Sequence, residues 1–381
     1  MIDRRSLLAR SALLSGALFA PRLAWAAAPT ERRLVFVIQR GAADGLATLA
    51  PTGDPAYAGL RGELADIGGG IKLNGMFTLH PALAQLAARY QAGEALFVHA
   101  TASPYRDRSH FDGQNVLETG GKLPYDRDDG WMNRLIGLLP GGDAKALALS
   151  PAIPTALRGA ASVSSYAPTN LPDASAEYLQ RIGRLYAGDA QLHALWSEAV
   201  QTRAMAAGLA EDGGRGAAAA GKLAASLMTG PEGARLVMVE SNGWDTHAGQ
   251  RGRLSNQLGG LDAMLAALRE GLGTAWADTL VIVATEFGRT AAVNGTGGTD
   301  HGTGGLAFML GGTVKGGRVL ADWPGLGQSA LYEGRDLRPT TPLDAVLAGA
   351  LAGHFGLDPV RAASTLFPGG NSKPLEGLIR T

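Results

Sequence analysis

The chain has 381 residues, 46% of them hydrophobic, enough for a sizeable core arranged as one large domain or two smaller ones. Lys+Arg and Asp+Glu balance at 34 each, so no excess of positive charge points to nucleic acid or another polyanion as partner. Cysteine is absent, which excludes thiol catalysis, disulfides and cysteine–zinc sites and leaves Ser, Thr, a carboxylate or water as nucleophile.

The N-terminus reads as an address. Asp3-Arg4-Arg5-Ser6-Leu7-Leu8 carries the paired arginines of a twin-arginine signal, a mostly apolar run over 12–20 follows, and Ala24-Trp25-Ala26 offers a small-x-small cleavage site. The apolar run is too short to span a bilayer without Pro21 and Arg22, so export and cleavage before Ala27 are favoured over a membrane anchor. Twin-arginine export carries folded cargo, which suits a protein loaded with a metal before it reaches the periplasm.

Leu34-Val35-Phe36-Val37-Ile38 is a continuous apolar, β-rich run, as expected of a strand buried on both faces of a parallel sheet. It ends in Arg40-Gly41-Ala42-Ala43-Asp44-Gly45, a turn with a carboxylate at its tip. Residues 81–90 read as a helix and 95–99 as a second strand. A helix over 110–118 is predicted, with Ser109 as N-cap and Asp112 three residues on. Residues 151–172 are Ser/Ala/Pro-rich, 176–205 look helical, and 206–220 form an Ala/Gly tract that suggests a flexible joint. Together they predict a helical, flexible insertion around 151–230 within a single domain over 27–381.

Order returns with a strand at 235–240, a helix at 254–272 whose Leu258, Leu261, Leu265 and Leu268 share a face, and a strand at 279–284. Strand, helix, strand predicts a βαβ unit with parallel, adjacent strands and their C-terminal ends on one sheet edge. That edge collects the chemistry. Gly243-Trp244-Asp245-Thr246-His247 follows the first of these strands. Glu286, Arg289, Asp300 and His301 follow the second, in a glycine-rich loop. Mixed oxygen and imidazole donors suit a divalent ion such as zinc, manganese or magnesium. The bland readings are a capped turn for Asp245, a surface turn for Asp300-His301 and an Arg289–Glu286 salt bridge. Arg289 equally has the planar fork that grips phosphate, sulfate or carboxylate. His80, His99, His193 and His354 lack acidic or glycine-rich company and read as structural.

These motifs, with Arg108-Ser109-His110-Phe111-Asp112 and the leader, together resemble the exported bacterial family known as domain of unknown function 1501. The resemblance runs over essentially the whole mature chain. It implies an alkaline-phosphatase-like fold: α/β, a doubly wound, mostly parallel sheet flanked by helices, with metals at the strand C-termini. It further implies Asp44, Asp245, His247, Glu286, Asp300 and His301 as ligands of one or two divalent ions, zinc or manganese being the natural choice within that fold. Ser109 then lies near the nucleophile position, Arg289 holds the anion, and His110 and Asp112 support. The departures are Glu286-Phe287 where an Asp-His pair is usual, and Ala102 where formylglycine sulfatases need Cys or Ser before Pro104-Tyr105-Arg106.

The expectation is therefore an exported, metal-dependent hydrolase of a phosphate or sulfate ester or related small anionic substrate. Its partners would be that substrate and the twin-arginine export machinery, with no nucleic acid and no membrane span after cleavage. The alternative is a non-catalytic metal-binding accessory or assembly protein of the periplasm, acting on a periplasmic protein partner.

Overall fold

The computed structural model describes residues 30–142, 144–167, 176–189, 216–230, 233–370 and 372–380, with a few positions between 192 and 200. The expected signal over 1–26, much of the flexible tract at 206–220 and parts of the insertion around 151–230 lie outside the described residues. Among the described residues no helix is long and apolar enough to cross a membrane.

The chain forms the α/β, doubly wound, mostly parallel sheet expected of it. The strands in chain order are β1 (Arg33–Arg40), β2 (Leu49–Ala50), β3 (Ile71–Lys72), β4 (Thr78–Leu79), β5 (Ala95–Ala102), β6 (Ala146–Leu149), β7 (Ser164–Ser165) and β8 (Leu236–Asn242). They continue with β9 (Thr279–Ala284), β10 (Gly305–Leu310), β11 (Arg318–Leu320) and β12 (Thr341–Pro342). The main sheet runs β11-β5-β10-β9-β1-β8-β6-β7, with β12 beside β5, while β2, β4 and β3 form a small separate sheet.

Strand β1 shows why the sheet is wound on both faces. All its apolar side chains are fully buried, and they alternate between two cores, as the two-residue period of a strand requires. Val35 and Val37 join a core with Leu227, Leu258 and Leu265 from the helices Ala217–Met228 and Gln250–Leu272. Leu34, Phe36 and Ile38 join the opposite core with Trp131, Leu135, Leu347 and Leu351 from the helices Trp131–Leu138 and Leu343–Phe355. Each such side chain contributes about 1.5–3 kcal/mol on burial.

The expected βαβ unit is present, with one correction. Strands β8 and β9 run parallel but are not neighbours, because β1 lies between them and pairs with both. The 23-residue helix Gln250–Leu272 is a long enough connection to step across the intervening strand. The consequence for the site survives, since β1, β8 and β9 still end on one edge. Among the described strands of the main sheet, β10 alone is antiparallel, to its neighbours β9 and β5, so β5 shares the direction of β9. The start of β10 therefore lies at the same edge as the ends of β1, β5, β8 and β9, which brings the Asp300-His301 segment there.

Candidate metal centre

The loop after β8 divides its side chains by alternation. Trp244 and Thr246 are fully buried, and the Trp244 indole donates to Ser241 Oγ at 3.0 Å. Asp245 and His247, between and beyond them, turn toward solvent and toward each other, His247 Nε2 standing 3.0 Å from Asp245 Oδ1. The loop between β9 and β10 folds back on itself, with Thr290 N–H donating to the Asp300 carbonyl and Gly302 N–H to the Gly288 carbonyl. This hairpin carries His301 to the same place. His110 arrives from the start of the helix His110–Thr119, just beyond the end of β5.

Three imidazoles and one carboxylate converge. His301 Nε2 lies 3.0 Å from His110 Nε2 and 3.0 Å from His247 Nε2, and 3.3 Å from Asp245 Oδ1. His110 Nε2 is 3.4 Å from Asp245 Oδ2. Every other ring nitrogen is occupied by an acceptor: His110 Nδ1 by Glu286 Oε1 at 2.8 Å, His247 Nδ1 by Asp300 Oδ1 at 2.9 Å, and His301 Nδ1 by the Arg108 carbonyl at 3.0 Å. Those acceptors hold each proton on Nδ1 and leave a lone pair on each Nε2. Lone pairs at 3.0 Å repel unless a cation, a proton or a metal ion, sits between them. Donors around one tetrahedral zinc at about 2.0–2.1 Å lie roughly 3.3 Å from one another. The measured distances are of that size, and His110, Asp245 and His301 offer donor atoms that all lie within 4.8 Å of one another, a set that fits a divalent ion, with His247 beside it on Asp245 and His301.

Charge within the cluster is tuned by the same contacts. The hydrogen bond that His110 donates to Glu286 raises the His110 pKa against the effect of burial. Burial, with His110 nearby, lowers that of His301. Burial would raise Asp245, but Arg289, His247 and His110 outweigh it and hold the carboxyl below its ordinary range. His247 and then Asn294 do the same for Asp300. Glu286 is completely buried, and its His110, Gln114 and Gly41 hydrogen bonds overcome desolvation to keep it ionised.

Of the residues expected at the site, Asp245, His247 and His301 come together as donors, and Asp300 stands behind His247. His110 and Glu286 stand in places other than those expected. His110, expected in support, contributes a convergent nitrogen, whereas Glu286, expected as a ligand, accepts from His110 Nδ1, Gly41 N–H and Gln114 Nε2. Asp44 is not among the convergent donors. It is buried beneath them, paired with Arg61, accepting from Gln250 Nε2 at 2.6 Å and capping the short helix Gly45–Thr48. Arg289 is not free to grip an anion, because its buried guanidinium donates to Asp245 Oδ1 at 2.6 Å and to Thr299. Ser109 occupies the N-cap position, but its side chain makes no capping hydrogen bond, and its N–H donates to Tyr105 Oη at 3.0 Å. Asp112 accepts from the same tyrosine at 3.4 Å, outside the cluster.

Gln250 is a residue the sequence reading missed. Fully buried, it accepts from Thr246 Oγ1 at 2.9 Å and from Thr299 Oγ1 at 2.7 Å, tying together the loops that carry Asp245/His247 and Asp300/His301. Its place four residues after Thr246, at the first turn of a helix, was the available signal. Arg108 is another: it adopts a left-handed backbone (φ 62°), which aims its carbonyl at His301, while its side chain pairs with Asp336 and Glu333.

Fold and site together define an α/β protein with a histidine-rich candidate metal centre at the C-terminal edge of its sheet. Residues 72–362, which include every convergent donor, match the family described as "Protein of unknown function (DUF1501)", and the chain belongs to that family. No curated protein matches the chain. Among solved structures it is similar to the C-terminal periplasmic domain of EcEptC from Escherichia coli, crystallised in complex with Zn. That similarity has a TM-score of 0.38 at 10% identity and covers 75% of this chain and 74% of the other.

Proposed function

We propose that the protein is an exported, metal-dependent hydrolase of a phosphate or sulfate ester or a related anionic group. One divalent ion, zinc or manganese, would be held by His110, Asp245, His247 and His301. The observation that carries this reading is the convergence of three Nε2 atoms on the Asp245 carboxylate, with every Nδ1 tied to an acceptor. When bound, such an ion acts as a Lewis acid that polarises an ester oxygen and offsets charge developing on it. The residues around it have their own tasks. Glu286, Asp300 and the Arg108 carbonyl orient the imidazoles, and Arg289 fixes Asp245. The side chains of Asp245 and His247 are 42% and 44% exposed, which leaves the cluster open to a substrate from solvent. With Arg289 engaged, the anion would be gripped by the ion itself, and water rather than Ser109 is the favoured nucleophile.

A specific observation supports the second reading, a metal-binding accessory protein of the periplasm. If His247 joins His110, Asp245 and His301 on one ion, four protein donors would complete a tetrahedral shell, and closed sites of that kind are structural rather than catalytic. The two readings separate by experiment. Purified mature protein is analysed for metal and assayed against phosphomonoester, phosphodiester and sulfate ester substrates, beside Asp245→Ala/His247→Ala. Hydrolysis that is lost with the metal in the variant supports the enzyme. Metal without hydrolysis of any of these esters supports the accessory role, and no metal uptake in the wild type contradicts both.

A further inference from the structure

Beside the end of β5, at the C-terminal end of the helix His110–Thr119, lies a cavity of about 330 Å³. Its size is at the lower end of the range for small-molecule sites. Val116, Leu117, Leu343, Leu347 and Phe367 supply apolar walls. Two cations, Arg106 and Lys122, also line it. Arg106 is half-buried and, among the described residues, has no carboxylate partner. Its Nη1 donates to the carbonyls of Ser103 and Tyr105, and among the described residues Nε and Nη2 have no hydrogen-bond acceptor. Burial lowers its pKa, and only Tyr332 works against that. A desolvated guanidinium with unused donors favours an anion. The single lining carboxylate, Asp344, is already engaged by the Ala345 N–H at 2.8 Å and by Ser372.

We propose that this cavity binds a small monoanionic amphiphile, its acid group on Arg106 and its aliphatic body against Val116, Leu117, Leu343, Leu347 and Phe367. The site is separate from the metal cluster, and it needs no ion. Lys122, exposed at the rim, adds attraction for the same charge.

The test is calorimetric titration of the full mature chain with octanoate and with 1-octanol as an uncharged probe of equal length. The wild type binds octanoate more tightly than octanol. Arg106→Gln keeps an amide for the Ser103 and Tyr105 carbonyls but removes the charge. It weakens octanoate about 10-fold or more, the worth of a charged hydrogen bond, and leaves octanol unchanged. Ser372→Trp, which fills the cavity from a half-buried position, abolishes both and decides the matter alone should Arg106→Gln not fold. Octanoate binding that is absent in the wild type, unchanged in Arg106→Gln or unchanged in Ser372→Trp overturns the proposal.

Discussion

Glu286 reaches His110 rather than the open face of the cluster: its Oε1 lies 2.8 Å from His110 Nδ1, and the same oxygen accepts from Gly41 N–H at 2.8 Å. A carboxylate behind an imidazole fixes the ring and raises its basicity as a ligand. Replacing Glu286 by Gln keeps the shape and an acceptor but removes the charge. Metal affinity should fall by about 10- to 100-fold, with the ion still bound at high concentration. His110→Ala, which removes a donor outright, should cost more. Competitive titration against a chelator compares the two, and equal losses would contradict the division of roles.

Gln250→Ala should damage fold and site together. The substitution strips three hydrogen bonds and leaves the Thr246 and Thr299 hydroxyls, and one Asp44 oxygen, less satisfied in a buried place. A cost of about 2–4 kcal/mol is expected from buried polar groups left unpaired. Denaturant unfolding gives the stability loss and metal titration gives the accompanying loss of affinity. A variant as stable as wild type would show that the two loops are held by other means.

Gly41 stands where the backbone has φ 113°, and a Cβ there would lie 2.6 Å from the Asp245 nitrogen. Gly41→Ala therefore strains its own backbone and pushes on the loop that carries Asp245, at a cost of roughly 1–3 kcal/mol. Thermal melting checks the stability. Because Gly41 N–H also holds Glu286, metal affinity should drop in the same variant.

Acid should weaken the fold through two histidines remote from the cluster. His99 and His354 are buried, the first held at about 4 and the second at about 3, both by desolvation. His99 donates from Nε2 to the Leu49 carbonyl, and His354 from Nε2 to the Arg33 carbonyl. Their folded pKa values lie below the unfolded value of 6.5, so the unfolded chain binds more protons between the two. The stability they leave intact above pH 6.5 is lost as pH falls toward 4 and 3. Each imidazole contributes a slope of about 1.4 kcal/mol per pH unit within that window. Unfolding free energy measured from pH 7 to 4.5 should decline less steeply in His354→Gln than in wild type, by about that slope.

The legibility of the site follows from which signals are local. The strand Leu34–Ile38 and the helix carrying Leu258, Leu261, Leu265 and Leu268 announce themselves by periodicity, and the edge on which their loops meet follows from connection rules. That Asp245, His247 and His301 would share one edge was readable because they sit in loops beside strands. The contact between His110 and Glu286 was not, since it depends on where the helix start beyond β5 meets the end of β9 and on the burial of Glu286, both tertiary facts. The surroundings of Asp44 were hidden for a related reason: nothing local in a carboxylate after a first strand points to Arg61, 17 positions away, as its partner. The position of β1 between β8 and β9 was equally invisible, because a connection rule gives direction and hand but not adjacency.

X-ray absorption at the metal edge of zinc-loaded protein tests the central claim most directly. The account predicts a first shell of three imidazole nitrogens and one carboxylate oxygen at about 2.0–2.1 Å, with one imidazole lost in His110→Ala and none lost in Glu286→Gln. A shell dominated by oxygen, or one whose imidazole count is unchanged in His110→Ala, would contradict it.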